Sequence, residues 1–321
     1  MKKVFFKGMM LLLLFGATSV YSQQQQRKDT LVVTRDGTGD YRNIQEAVEA
    51  VRAFMDYTVI IYIKNGKYKE KLVIPSWVKN VQLVGEDAEK TIITYDDHAN
   101  INKMGTFRTY TVKVEGNDIT FRDLTIENNA APLGQAVALH TEGDRLMFVN
   151  CRFLGNQDTV YTGSEGDCLL FTNCYIEGTT DFIFGPSTAL FEYCELHSKR
   201  DSYITAASTP QNEEFGYVFK NCKLTAAPGV KKVYLGRPWR PYAATVFINC
   251  EFGGHIRPEG WHNWKNPENE KTARYAESGN TGEGAGTSGR VTWGKQLTKK
   301  EALRYTPENI FKESSNWYPY K

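Results

Sequence analysis

The chain has 321 residues and carries 39 Lys and Arg against 37 Asp and Glu. The slight basicity sits in the first 22 residues, whose three lysines face no acid; without them the balance is 36 to 37, a net charge near −1. That balance excludes an electrostatic case for nucleic acid or an anionic membrane as partner.

In chain order, the first segment is MKKVFFKGMMLLLLFGATSVYS. Lys2, Lys3 and Lys7 precede an apolar run from Met9 to Ala17, and Val20-Tyr21-Ser22 closes it with a small-x-small pattern. This predicts a secretory signal peptide over 1–22, cleaved near Ser22. The run is too short to span a bilayer, and no Cys follows closely to carry a lipid. The mature protein is therefore expected to be exported, to a periplasm or out of the cell. Residues 23–28 (QQQQRK) read as a disordered leader, and 29–321 as one domain. Asn43 to Arg52 places Ile44, Ala47, Val48 and Val51 at helical spacing after Asp40, a candidate cap. A short helix here would close the end of a stack of strands.

The middle of the chain repeats. NCRF, NCYI, YCEL, NCKL and NCEF contain Cys151, Cys174, Cys194, Cys222 and Cys250, spaced by 23, 20, 28 and 28 residues. DLTI at 123–126 fits the same phrase with Leu124 in the cysteine position. A free buried Cys behaves as a small hydrophobe, so the five read as an interior ladder and not as disulfides; Cys168 falls outside it. Short runs rich in Phe, Leu, Ile, Val and Tyr separated by Gly, Asn and Asp, at this period, indicate a solenoid. No helix long enough for a βα crossover lies between them. An all-β, right-handed, single-stranded parallel β-helix fits best; an antiparallel sandwich does not explain cysteines in phase. Residues 278–289 (SGNTGEGAGTSG) predict a flexible or tightly turned loop, and KKEALRYTPENIFKE one or two short terminal helices.

GNQDTVYT at 155–162 and GTTDFIFG at 178–185 repeat an acid at the same phase: Asp158 and Asp181 each lie seven residues after a ladder cysteine. If the cysteines stack, so do the aspartates, about 4.8 Å apart. Gln135 lies another 23 residues before Asp158, on the coil below if AAPL is an insertion. Two carboxylates so placed cannot both ionise cheaply, leaving an acid beside an ionised partner. That division supplies a general acid and a nucleophile or base without histidine, in either order. Arg237 in YLGRPW is the cation to decide which stays ionised. Periodicity alone leaves a turn-satisfying ladder and a Ca²⁺ site open. The amides of Gln135 and Gln157 favour an oxyanion over calcium, and Tyr161, Phe184 and Trp239 offer faces to sugar rings. There is no G-x-S-x-G elbow, no H-E-x-x-H zinc motif and no metal spacing among the five histidines. No cofactor or metal is implied.

GQAVAL at 134–139, GNQDTVYT, GTTDFIFG and YLGRPW together resemble the four signature segments of the pectin methylesterases. GDYRNIQEAV, NTGEGAGTSGRVTW and YTPENIF extend the likeness over nearly the whole mature chain, in order. The resemblance implies a right-handed parallel β-helix that hydrolyses galacturonate methyl esters of pectin. It also implies Asp181 as nucleophile, Asp158 as acid and then base, Gln157 with Gln135 at the oxyanion, and Arg237 on Asp181. Tyr161, Phe184 and Trp239 would line the sugar groove. The chain departs from the pattern at His140, where the family commonly has Arg, and at Val160, where Leu is usual; His140 puts subsite preference in question. The rival readings are a pectate-lyase-like β-helix and a non-catalytic pectin-binding one.

Overall fold

The computed structural model describes residues 29–312, 314 and 317; the expected signal peptide over 1–22 and leader over 23–28 lie outside the described residues. Among the described residues the strands form parallel sheets of eleven, eight and seven strands, wound as a right-handed parallel β-helix. One coil runs through Leu146–Val149, Arg152–Leu154 and Val160–Thr162, and the next through Cys168–Thr172, Tyr175–Gly178 and Ile183–Gly185.

The recurring phrase is the corner between the eleven- and eight-stranded sheets. Asn150, Asn173, Asn221 and Asn249 all sit at φ between 51° and 54°, the left-handed region that Asn tolerates better than most residues. The following cysteine turns inward. Cys151, Cys174, Cys194, Cys222 and Cys250 are buried and free, with Leu124 in line below them. Four of the thiols donate to the carbonyl of a phenylalanine one coil below: Cys174 to Phe148 (3.4 Å), Cys194 to Phe171 (3.6 Å), Cys222 to Phe191 (3.3 Å) and Cys250 to Phe219 (3.5 Å). These phenylalanines form a second column. Phe121, Phe148, Phe171, Phe191, Phe219 and Phe247 stack with centroids 4.4 to 5.3 Å apart. Each stands three residues before a ladder position, a signal the sequence carries in plain view.

The ends depart from the expectations in detail. The helix Ile44–Glu49 buries Ile44, Ala47 and Val48, but Asp40 does not cap it. The Asp40 carboxylate accepts from the Val32 amide (2.8 Å), while the helix amides of Ile44 and Gln45 donate to Glu70 (both 3.0 Å). A carboxylate from another coil satisfies the orphan amides as well as a local one does, and sequence spacing reveals only local candidates. Residues 278–289 are tightly turned, with a 3-10 turn at Glu283–Ala285. Arg290 holds them: it donates to Glu277 (2.9 Å) and to the carbonyls of Arg257, Pro258 and Gly284. Two short helices follow, Lys299–Ala302 and Pro307–Ile310, the first opened by a Thr298/Glu301 capping box. Ile310 and Phe311 then pack on Cys168, Leu170, Leu190 and Val218, on the outer face of the eleven-stranded sheet. Cys168 is thus an apolar outer position covered by the C-terminal segment.

Because Phe191 is stacked on both sides and fully buried, Phe191→Ala is expected to cost about 3–5 kcal/mol of stability. A urea unfolding curve checks this; a midpoint within error of the parent would contradict the column as a stabilising unit.

Candidate active site

Strand register decides where the two aspartates meet. Val160 pairs with Ile183, and Asp158 and Asp181 each precede their strand residue by two, so they occupy the same position on adjacent coils. The backbone agrees: the Asp158 amide donates to the Thr180 carbonyl (3.1 Å) and the Asp181 amide to the Tyr203 carbonyl (2.8 Å). Both residues make the corner into the seven-stranded sheet at positive φ, 67° and 49°. Both are nearly buried, at 8% and 5% exposure.

Arg237 arrives from two coils above, just past the strand Tyr234–Gly236. Its guanidinium donates twice to Asp181, Nε to Oδ1 at 3.0 Å and Nη2 to Oδ2 at 2.6 Å. Its Cζ lies 3.9 Å from the ring centroid of Tyr203 and 3.6 Å from that of Trp264. The two carboxyl groups therefore differ in character. Burial pushes Asp158 well above its usual range and the neighbouring Asp181 charge pushes it further, with Arg237 and Gln157 offsetting only part. Burial raises Asp181 too, but the paired hydrogen bonds and charge of Arg237 act against it directly. The forces that favour a proton are therefore stronger at Asp158 than at Asp181, which alone receives the hydrogen bonds of Arg237.

The pair lies in a cleft of about 210 Å³ whose lining includes Gln135, Gln157, Phe184, Arg237 and Trp239. Gln135 reaches it from a different alignment than its spacing implied. Leu139 pairs with Val160, so the residue beneath Asp158 is Val137; the coil carries six extra residues between Leu124 and Leu139 and not the four of AAPL. The Ala136 amide bonds the Gln157 carbonyl at 3.0 Å, which brings Gln135 beside Gln157 from the coil below. Tyr161 is not in the lining of the cleft itself but extends it. Phe107, Tyr161, Phe184 and Trp239 form a row with successive centroids 4.9, 4.7 and 5.9 Å apart. His140 lies under that row, 4.8 Å from the Tyr161 ring. Its Nε2 is 2.9 Å from Glu142, which also holds Lys113 at 3.0 Å, and burial pushes the imidazole below its usual range. Among the described residues, no three His, Cys, Asp or Glu side chains are grouped to hold a metal.

Sequence reasoning missed Tyr203, Trp264 and Phe107. Tyr203 occupies the next position in the aspartate column, but two extra residues after Cys194 put it out of phase. Trp264 and Phe107 come from loops outside the repeat, and no pattern announces them.

The Pectinesterase family model matches residues 30–314. Pectinesterase 31 of Arabidopsis thaliana is 38% identical over 281 residues, covering 84% of this chain and 88% of the relative. The chain belongs to the pectinesterase family. Other relatives, named probable pectinesterase/pectinesterase inhibitors, are longer, and the chain spans about half their length. Among solved structures, the pectin methylesterase from carrot superposes with a TM-score of 0.85 at 34% identity, covering 91% of this chain and 97% of that one. A pectin methylesterase mutant in complex with a hexasaccharide gives 0.79 at 29% identity, covering 91% and 98%.

The raised Asp158 proton makes a prediction about stability. An acid whose pKa is higher in the fold than in the unfolded chain contributes stability that is fully present below the unfolded value, near 3.8, and lost as pH rises through the folded value. Stability of the parent is thus expected to fall with rising pH relative to Asp158→Asn from about pH 4 upward, by at most about 1.4 kcal/mol per pH unit. Paired urea midpoints across that range test it; parallel curves would mean Asp158 ionises normally.

Proposed function

We propose that this pectinesterase hydrolyses galacturonate methyl esters of homogalacturonan at the Asp158–Asp181 cleft, releasing methanol. The observation that carries the residue roles is the asymmetry of the pair: one carboxyl group held twice by Arg237, the other buried beside it without those bonds. In this reading an Asp181 oxygen attacks the ester carbonyl carbon. The carbonyl oxygen takes up negative charge, held by the amide donors of Gln157 and Gln135. Collapse breaks the bond to methoxide, which leaves as methanol with the proton of Asp158. Asp181 is then joined to the galacturonyl group as an acyl-enzyme. Asp158, now a carboxylate, takes a proton from water as the oxygen attacks the acyl carbon; the acyl bond to Asp181 breaks, Asp181 returns to Arg237 as a carboxylate, and the galacturonic acid released ionises in solvent.

Phe184, Trp239 and Tyr161 are proposed to face the sugar rings. Polar donors beneath an aromatic wall suit a ring that is hydroxylated at its edge and apolar on its face. Pectin is the substrate proposed, and no further partner or cofactor is required. The lyase reading needs a calcium-holding acidic cluster, which the described residues do not form. A binding module has no use for a proton kept on Asp158. We also propose export, to a periplasm or beyond the cell, on the pattern of residues 1–22.

Asp181→Ala is expected to lower methanol release from methylated homogalacturonan by about 10³-fold or more while leaving the circular dichroism spectrum unchanged. Substantial retained activity would remove Asp181 as nucleophile. An unsaturated, ultraviolet-absorbing product from the parent would instead establish lyase chemistry.

A further inference from the structure

The column that holds the aspartates continues upward with rings. Asp181 bonds the carbonyl of Tyr203, and Tyr203 pairs with Tyr234 on the coil above. The two tyrosine rings stack with centroids 5.3 Å apart and planes 12° from parallel. His262 packs against both, at 5.4 and 5.2 Å. Arg257 lies over Tyr234 at 4.7 Å and is itself held by Glu259.

Arg237 needs this support. Among the described residues its guanidinium has Asp181 as its hydrogen-bond partner and no second acceptor. A long side chain with one partner is free to rotate about the axis to that partner unless its faces are held. Here two rings lie against it, Tyr203 at 3.9 Å and Trp264 at 3.6 Å. Only one of those rings meets the substrate space: Trp264 lines the cleft, whereas Tyr203 is not in its lining. We infer that Tyr203 is a positioning residue for the proposed ester hydrolysis, its ring clamping the Arg237 guanidinium in the plane from which both N–H groups reach Asp181.

The inference rests on the reading of Asp181 as nucleophile. It makes Tyr203 act on the chemical step and not on binding. With the ring gone, the fork loosens, Asp181 loses part of its offset against burial, and a larger fraction carries a proton at mildly acidic pH. The charged and titratable groups around that position include Asp158, Arg237, Tyr234, His262, Arg257, Glu259, Lys265 and Tyr275. Burial and the neighbouring cations Arg237, Lys265 and Arg257 depress His262, which disfavours a charge on it.

The test is steady-state methanol release from methylated homogalacturonan against pH. Tyr203→Leu is expected to lower kcat about 10-fold, leave KM within about two-fold of the parent, and move the acidic limb of the kcat profile upward by about half a pH unit. Tyr203→Phe keeps the ring face and should restore both kcat and the limb. If Tyr203→Leu does not fold, Tyr203→Met carries the same expectation at closer volume. In an Arg237→Lys background, which has no planar fork to clamp, Tyr203→Leu should add less than about two-fold. An unchanged limb, a loss confined to KM, or full additivity with Arg237→Lys would overturn the clamp. Asp181→Asn separates the two levels: if it is inactive, those outcomes sink the clamp alone, and if it is active, the nucleophile reading fails and the clamp with it.

Discussion

Parallel strands in register fix what lies above what, and this protein uses that constraint throughout. Each coil hydrogen-bonds to the next at about 4.8 Å, so a residue type repeated at one phase becomes a column. In the interior the columns are favourable: six phenylalanines stack face over face, with thiols small enough to fit beside them. At the corner into the seven-stranded sheet the same geometry sets Asp158 against Asp181. Water would keep those groups apart; the backbone does not allow it. Reactive electrostatics here come from the bonding pattern that stabilises the core.

A symmetric pair would share a proton without assigning roles. Arg237 breaks the symmetry, and comparison with a more deeply buried ion pair shows how. Arg290 and Glu277 have side-chain exposures of 3% and 2%, and Arg290 also donates to three backbone carbonyls. That arginine is saturated and knits loops together. Arg237 has one carboxylate, two rings and side-chain exposures of 18% against 8% for Asp181. Its charge is spent on a single acceptor that faces a cleft. A saturated arginine fits a structural pair, and an unsaturated one beside a second carboxyl fits a functional pair.

What was legible in the sequence was what repeats. Cys151 to Cys250 announced the solenoid, and the equal seven-residue offsets of Asp158 and Asp181 announced their meeting, because both coils run from ladder cysteine to strand without insertion. Where insertions break phase, counting fails: six extra residues put Val137 and not Gln135 beneath Asp158, and two hide Tyr203. Contacts made by loops from other coils, such as Trp264 on Arg237 or Glu70 on the first helix, have no local signature at all. His140 was visible as a departure from a motif, but its burial beneath Tyr161 was not.

Left-handed corners alone would not have marked the site. Asp and Asn are enriched at positive φ for backbone reasons, and Asp118 at φ 59° shows the ordinary outcome. One coil on, Arg145 places Nε and Nη2 on its two oxygens at 2.6 and 2.8 Å, in a pair still about a third exposed. There the column sets opposite charges over one another and the result is a surface ion pair of small consequence. At Asp158 the neighbour above is another acid, burial is nearly complete, and the arginine that answers comes from two coils above Asp181 and bonds only that upper member. The backbone device is the same in both places. What converts a turn into the proposed reaction centre is the choice of a like charge for the next rung, and the withholding of a counter-ion from one of the two.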